Sequence, residues 1–206
     1  MYSQYKLQDD TGVLRETASQ TAGPYVHIGL ALEIAGFKSR DDEIWEDIAK
    51  QDAEGEHIEL VGAVYDGNGE LVRDALVELW QADSSGSYNN EFNNKKPFCG
   101  FGRSACATDG DYHFQTIKPG KVDFDGKAMA PHVNIAVFAR GINIHLQTRA
   151  YFEDEQSANA ECPILNRVEP ARRQSLIAVK EETEGKPRYR FDIYLQGANE
   201  TVFFDF

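Results

Sequence analysis

Residues 1–24 are polar and hold no sustained period, ending in Glu16-Thr-Ala-Ser-Gln-Thr-Ala-Gly-Pro24, a run of turn formers. An extended N-terminal arm is expected there. From residue 25 to 37 the chain is apolar but interrupted by Gly29 and Gly36, which fits either a strand or an irregular buried segment. Residues 39–50 predict a short helix: Ser39 as cap, acids in the first turn, Ile44, Trp45 and Ile48 on one face, and Lys50 at the end. From His57 the period becomes two, in 58–65 and again in 75–80, and Asp66-Gly-Asn-Gly69 between them supplies a tight reversal. Further strands are expected at 112–116, 132–139, 146–152, 189–195 and 201–206, while 153–160 and 170–176 read as helical. Many short strands with few crossover helices point to an all-β fold: an antiparallel β-sandwich with an extended N-terminal arm and a few short helices.

A length of 206 residues fits one such domain, with residues 1–37 as arm and interface segment and 57–206 as the sandwich. Hydrophobic residues at 41% leave enough apolar side chains for a sizeable core. No run approaches the roughly 18 apolar residues of a membrane span, and no basic start with an apolar run marks an export signal. A soluble cytoplasmic protein is expected. The net charge of −13, with no Lys/Arg cluster, argues against nucleic-acid and anionic membrane partners. Cys99, Cys106 and Cys162 lack both metal-site spacing and disulfide density, so reduced thiols are expected.

The usual anchors of phosphate-loop, dinucleotide, zincin and serine-hydrolase chemistry are missing, and Gly67-Asn-Gly69 and Gly100-Phe-Gly102 read as turns. The five His (27, 57, 113, 132, 145) never fall at ligand spacing. Alternation does place His132 and Asn134 on one face of a strand and Ile135 and Val137 on the other. A same-face pair is how a strand offers two ligands to one metal, but a neutral amide is a poor ligand for a transition metal. Tyr88, after Gly86-Ser87, reads either as a surface aromatic or as a phenolate ligand.

Leu60-Val-Gly-Ala-Val-Tyr-Asp-Gly-Asn-Gly-Glu-Leu-Val-Arg-Asp-Ala-Leu-Val-Glu-Leu-Trp-Gln-Ala-Asp83, followed by Gly86-Ser-Tyr88, resembles the signature of the intradiol ring-cleaving catechol dioxygenases. Thr17–Leu30, Ile117-Lys-Pro-Gly120, Ala130-Pro-His132, Phe138-Ala-Arg-Gly-Ile-Asn143, Thr148-Arg-Ala-Tyr-Phe152 and Glu200–Phe206 extend the likeness to the alpha chains of the family's two-chain members. The resemblance implies a non-haem Fe(III) held by two Tyr and two His. It also implies cleavage of 3,4-dihydroxybenzoate with O2 to 3-carboxy-cis,cis-muconate in aromatic catabolism, the β-ketoadipate pathway of bacteria.

In this chain Tyr88 falls at the first Tyr position and His132 at the first His position, but the second Tyr position is Val122 and the second His position is Asn134. The Arg that precedes the His pair in iron-holding chains is replaced by Met129. Two ligands are too few for ferric iron, so no metal site and no catalytic residue is expected within this chain alone. The resemblance places the iron on a homologous beta chain, in an αβ protomer assembled into a larger oligomer. The alpha chain then contributes one pocket wall: Thr21, Gly23, Pro24 and Tyr25 of the arm, and Arg140 as a fork for the substrate carboxylate. Arg140 also fits a strand-end salt bridge. Trp80-Gln81 is expected to pack at a strand end, Val202–Phe206 to close the sandwich or bury at a partner interface, and Arg172-Arg173 to form a solvated or interface pair. Two other readings compete: a non-catalytic β-sandwich binding module, disfavoured by the retained arm and Arg140, and a self-sufficient homo-oligomer, disfavoured by Val122 and Asn134.

Overall fold

A computed structural model describes residues 20–23, 25–32, 34–38, 46–89, 96–106 and 110–205. Eleven strands are found among them: β1 (His57–Tyr65), β2 (Leu76–Gln81), β3 (Phe101–Ala105), β4 (Asp111–Ile117), β5 (Val122–Phe124), β6 (Lys127–Met129), β7 (His132–Phe138), β8 (Leu146–Phe152), β9 (Ile177–Glu181), β10 (Arg188–Arg190) and β11 (Ile193–Tyr194). Two short helices accompany them, α1 (Val26–Leu30) and α2 (Gln156–Glu161), with 3-10 turns at Leu165–Arg167 and Pro170–Leu176.

One layer runs β4-β1-β10-β9 and the other β8-β7-β2-β3, with β9 pairing both β10 and β8. On the far side the backbone N–H of His113 on β4 donates to the Ser104 hydroxyl on β3, so the two layers also meet there. Ile58 and Leu60 of β1, Phe114 of β4 and Tyr189 of β10 fill the space between the layers against Val77, Leu79, Val133, Ile135, Val137 and Phe152. These are the apolar phases of the alternating strands, and burying each such side chain contributes about 1.5–3 kcal/mol before entropy is counted. A second, smaller cluster lies outside the β7–β8 face, built from Met129, Tyr151, Cys162, Leu165 and Leu176 and covered by Val202 and Phe204.

The alternating strands fall where the hydrophobic pattern puts them, while several other expectations are corrected. Residues 46–50 are extended, not helical: Asp47 bridges Gln115, Ala49 bridges Phe98, and the N–H groups of Ile48 and Ala49 donate to the Gln115 carbonyl. β1 occupies only one edge of β4, and its open backbone groups on the other edge outcompete a helix only a few turns long. Residues 39–45 of that expected helix lie outside the described residues. Phe101 and Gly102, read as a turn, open β3; the turn itself is Gly100, at φ 76°. Residues 201–205 give one bridge, Phe204 to Gln147, instead of a strand, and Phe206 lies outside the described residues. The expected strand 189–195 is two short pieces, parallel to β1 at 59–61 and 64–65. β9 is likewise parallel to β8, because residues 153–176 form a long crossover between them. No helix among the described residues is long and apolar enough to cross a membrane.

Candidate functional site

β7 carries candidate residues at both ends, and the two ends differ. At its start, His132 and Asn134 face away from the main core, opposite Tyr151 and Arg149 of β8 in register. The loop after β2 brings Tyr88 to the same place. Asp83 builds that loop: its Oδ1 accepts from the Ser85 and Ser87 backbones and from the Ser85 hydroxyl. Burial pushes the Asp83 carboxyl up, but these donors together outweigh it and hold the carboxyl below its usual range. Gly86 sits at φ 86°, where a Cβ would meet the Lys121 carbonyl at 1.9 Å. The motif's Gly therefore serves close backbone approach of this loop to the 120–121 turn. Lys118 fixes that turn from below, its Nζ 2.9 Å from Asp154 Oδ1 and 3.0 Å from Glu155 Oε1, and 5.5 Å from both the Phe152 and Tyr189 ring centres.

The Asn134 amide nitrogen donates to the Tyr88 hydroxyl at 2.9 Å and to the Trp80 carbonyl at 3.1 Å. Since a carbonyl can only accept, the second bond fixes which end of the amide is which. His132 is 1% exposed. Its Nδ1 lies 2.8 Å from the Ala130 carbonyl, which makes Nδ1 the protonated nitrogen, and its Nε2 has no hydrogen-bond partner. Burial, helped by the nearby Arg149 charge and opposed by the Ala130 bond, lowers the imidazole pKa to about 4. Val122 pairs with Met129 in the β5–β6 hairpin and packs on the second cluster.

Of the four positions, the structure brings Tyr88 and Asn134 into direct contact. They do not fit a ferric ion. Val122 has no donor atom, Asn134 offers only a neutral amide oxygen, and the one ready imidazole has a guanidinium as neighbour. Arg149 is the residue that the sequence motifs did not single out. Its signal was its phase: two residues before Tyr151, on the face of β8 opposite Asn134.

At the other end, Arg140 follows β7 and is exposed, its side chain 64% accessible. Its Nε lies 2.6 Å from Asp74 Oδ2, an ion pair without an aligned N–H, since that oxygen has no hydrogen-bond partner. Both face an open groove of about 640 Å³ with Ile34 and Leu71 on its walls. Asp74 is a second residue that the motifs did not single out. The arm reaches this end: the Thr21 hydroxyl donates to the Ala139 carbonyl at 3.4 Å and accepts from the Gly23 N–H at 3.3 Å. Gly23 has φ 68°, and nothing lies within 4 Å of where its Cβ would be. Tyr25 is 75% exposed at the start of α1, and Pro24 lies outside the described residues. Thr21, Gly23 and Arg140 are thus gathered at one end of the strand. Asn134 lies four residues before the end of β7, about 13 Å at roughly 3.3 Å per residue. Another groove, of about 560 Å³ beside the Pro170–Leu176 turn, has its arginines already paired, Arg172 to Glu200 and Arg190 to Asp111 and Asp192, and lacks this chemistry.

Residues 34–197 match the family described as Dioxygenase. The chain is 60% identical over 197 residues to the protocatechuate 3,4-dioxygenase alpha chain of Pseudomonas putida, covering 94% of this chain and 98% of that one. It is 43% identical to the alpha chain of the same enzyme from Burkholderia cepacia, covering 93% and 98%, and 33% identical to the Burkholderia cepacia beta chain, covering 71% and 67%. In fold it is similar to an intradiol ring-cleavage dioxygenase from Tetranychus urticae, with TM-score 0.57, 18% identity, and coverage of 79% and 93%.

Proposed function

The chain belongs to the intradiol dioxygenase family, and from that premise we propose that it is the alpha chain of a two-chain protocatechuate 3,4-dioxygenase whose homologous beta chain holds the iron. The enzyme cleaves 3,4-dihydroxybenzoate with O2 between its two hydroxyl-bearing carbons, giving 3-carboxy-cis,cis-muconate. The αβ protomers assemble further into a larger oligomer.

The observation that carries this reading is the separation along β7. Thr21 and Arg140 lie beyond the end of β7, and the four strand residues from Asn134 to Phe138 alone put about 13 Å between that end and the chain's own Tyr88–Asn134 contact, farther than a single-ring acid spans. A pocket wall at the Arg140 end serves a reaction centre contributed by another chain. Bound to the beta chain, the ferric ion supplies activation of the catecholate toward O2. This chain binds and orients. Arg140 presents its fork to the carboxylate, and the fixed guanidinium offsets the chain's overall negative charge, because charges beyond about 8 Å are largely screened at physiological salt. Thr21 and Tyr25 offer hydroxyls, and Gly23-Pro24 lets backbone lie close to a flat ring. Thr21 ties that segment to Ala139, beside Arg140.

Co-expression with a homologous chain that keeps two Tyr and two His tests the assignment. Iron, ferric-tyrosinate colour and ring cleavage are expected in the co-purified complex. Stoichiometric, tightly bound iron in this chain alone would overturn it.

A further inference from the structure

We propose that Arg149 supplies the fixed positive charge of the Tyr88–Asn134 centre, standing where a metal ion would be needed to hold these groups together, and that this charge keeps metal cations from His132. The proposal does not depend on which partner the chain has or which acid it helps to cleave.

Register provides the first support. Asn134 is opposite Arg149 and His132 opposite Tyr151, and paired residues of antiparallel strands point to one face. Arg149 therefore shares a face with both former ligand positions of β7. Its local contacts fix it there: Nη1 lies 3.4 Å from Met129 Sδ, and the guanidinium carbon is 5.9 Å from the Phe204 ring centre. Met129 pairs in turn with Val122, the position that lacks its phenol. One cation thus stands opposite Asn134, acts on His132, and touches the strand partner of Val122.

The second support is the state of His132. Its Nδ1 is tied to the Ala130 carbonyl, the outer partner that a metal-binding imidazole commonly has, so its buried lone pair on Nε2 is the atom prepared for a cation and has no hydrogen-bond partner. A ready imidazole in a buried site would invite metal if the neighbourhood were neutral. With a guanidinium on the same face, a divalent or trivalent ion meets like charge where water screens it poorly. Missing ligands weaken a metal site; a resident cation closes it.

Cobalt(II), read by its visible d–d bands, tests the charge separately from the ligand count. In the full chain, N134H restores a second imidazole and is expected to stay without bands. N134H/R149M, which keeps length but removes charge, is expected to bind cobalt at least tenfold more tightly than N134H. N134H/R149K, which keeps the charge, is expected to remain without bands. Cobalt binding by N134H as tight as by the Met double variant would overturn the proposal, as would equal binding by the Lys and Met doubles. Thermal unfolding covers the case in which R149M does not fold: folding of R149K but not R149M supports a required cation, and equal loss in both overturns it.

Discussion

Both ends of β7 gather polar side chains, and they use them in opposite ways. At its start, a buried imidazole and a half-buried amide and phenol bond to one another or to backbone, beside Arg149. At its end, Arg140 stands exposed beside Asp74 and a tethered arm, facing an open groove. The inner end keeps its packing without a ligand set, whereas the open end holds Arg140 and Thr21 away from the Tyr88–Asn134 contact. Side chains that bond inward serve the fold, and side chains held outward without a use in their own chain indicate a partner.

The largest effect that would sharpen this contrast is acid sensitivity at the buried end. The folded chain holds the His132 pKa at about 4, against about 6.5 unfolded. Its contribution is therefore complete above pH 6.5 and is lost as pH falls toward 4, on the order of 3 kcal/mol over the window. Denaturant midpoints measured from pH 7 to 4 are expected to show this slope, and His132→Leu to flatten it, whatever the variant's absolute stability. An unchanged slope would mean that the imidazole is not held neutral. Arg140→Ala should leave that profile alone and act on substrate instead. Loss of a charge-assisted hydrogen bond of about 1.5–3 kcal/mol raises KM for 3,4-dihydroxybenzoate roughly 10- to 150-fold in the assembled enzyme, with little change for uncharged catechol. Equal changes for both substrates would remove the carboxylate role and erase the contrast.

How much of this was readable beforehand follows the range of the interactions. The faces of β7 were legible because Val133, Ile135 and Val137 alternate with polar residues, and period two is a local property. β3 was not, because Gly102, Arg103 and Ser104 dilute the signal, and residues 46–50 were misread because their backbone partner, Gln115, lies far along the chain. At the site, motif likeness points to Tyr88, Val122, His132 and Asn134 as the expected ligand positions. It could not show that Asn134 bonds to Tyr88 across 46 residues, that Arg149 faces them, or that Asp74 meets Arg140. Those facts depend on strand register and loop placement, which emerge only when both layers have formed.

A smaller effect separates the amide from the imidazole at the buried end. Asn134→Ala removes two hydrogen bonds and leaves the Trp80 carbonyl without that donor, at a cost of about 1 kcal/mol because the site is only part-buried. In a chain of this size, that lowers Tm by roughly 2–4 °C. KM in the complex should stay where it is, since nothing at this end reaches the Arg140 groove. A change in KM without a change in Tm would show that the two ends are coupled.

The smallest expected effect is also the one that decides what the Arg140–Asp74 pair is for. If the pair were only a strand-end salt bridge, Asp74→Asn and Arg140→Ala would act alike, each costing no more than about 1 kcal/mol of stability because Arg140 is largely in water, and neither would move KM. If Asp74 instead orients the guanidinium, stability still changes little, but Asp74→Asn loosens the fork and raises KM for the carboxylate-bearing substrate by a few-fold, less than loss of Arg140 itself. In the double variant the Asp74 substitution then adds nothing, because there is no longer a fork to orient. Additive effects on KM would mean that Asp74 acts on substrate by a route of its own, through its charge at the groove, and not through Arg140.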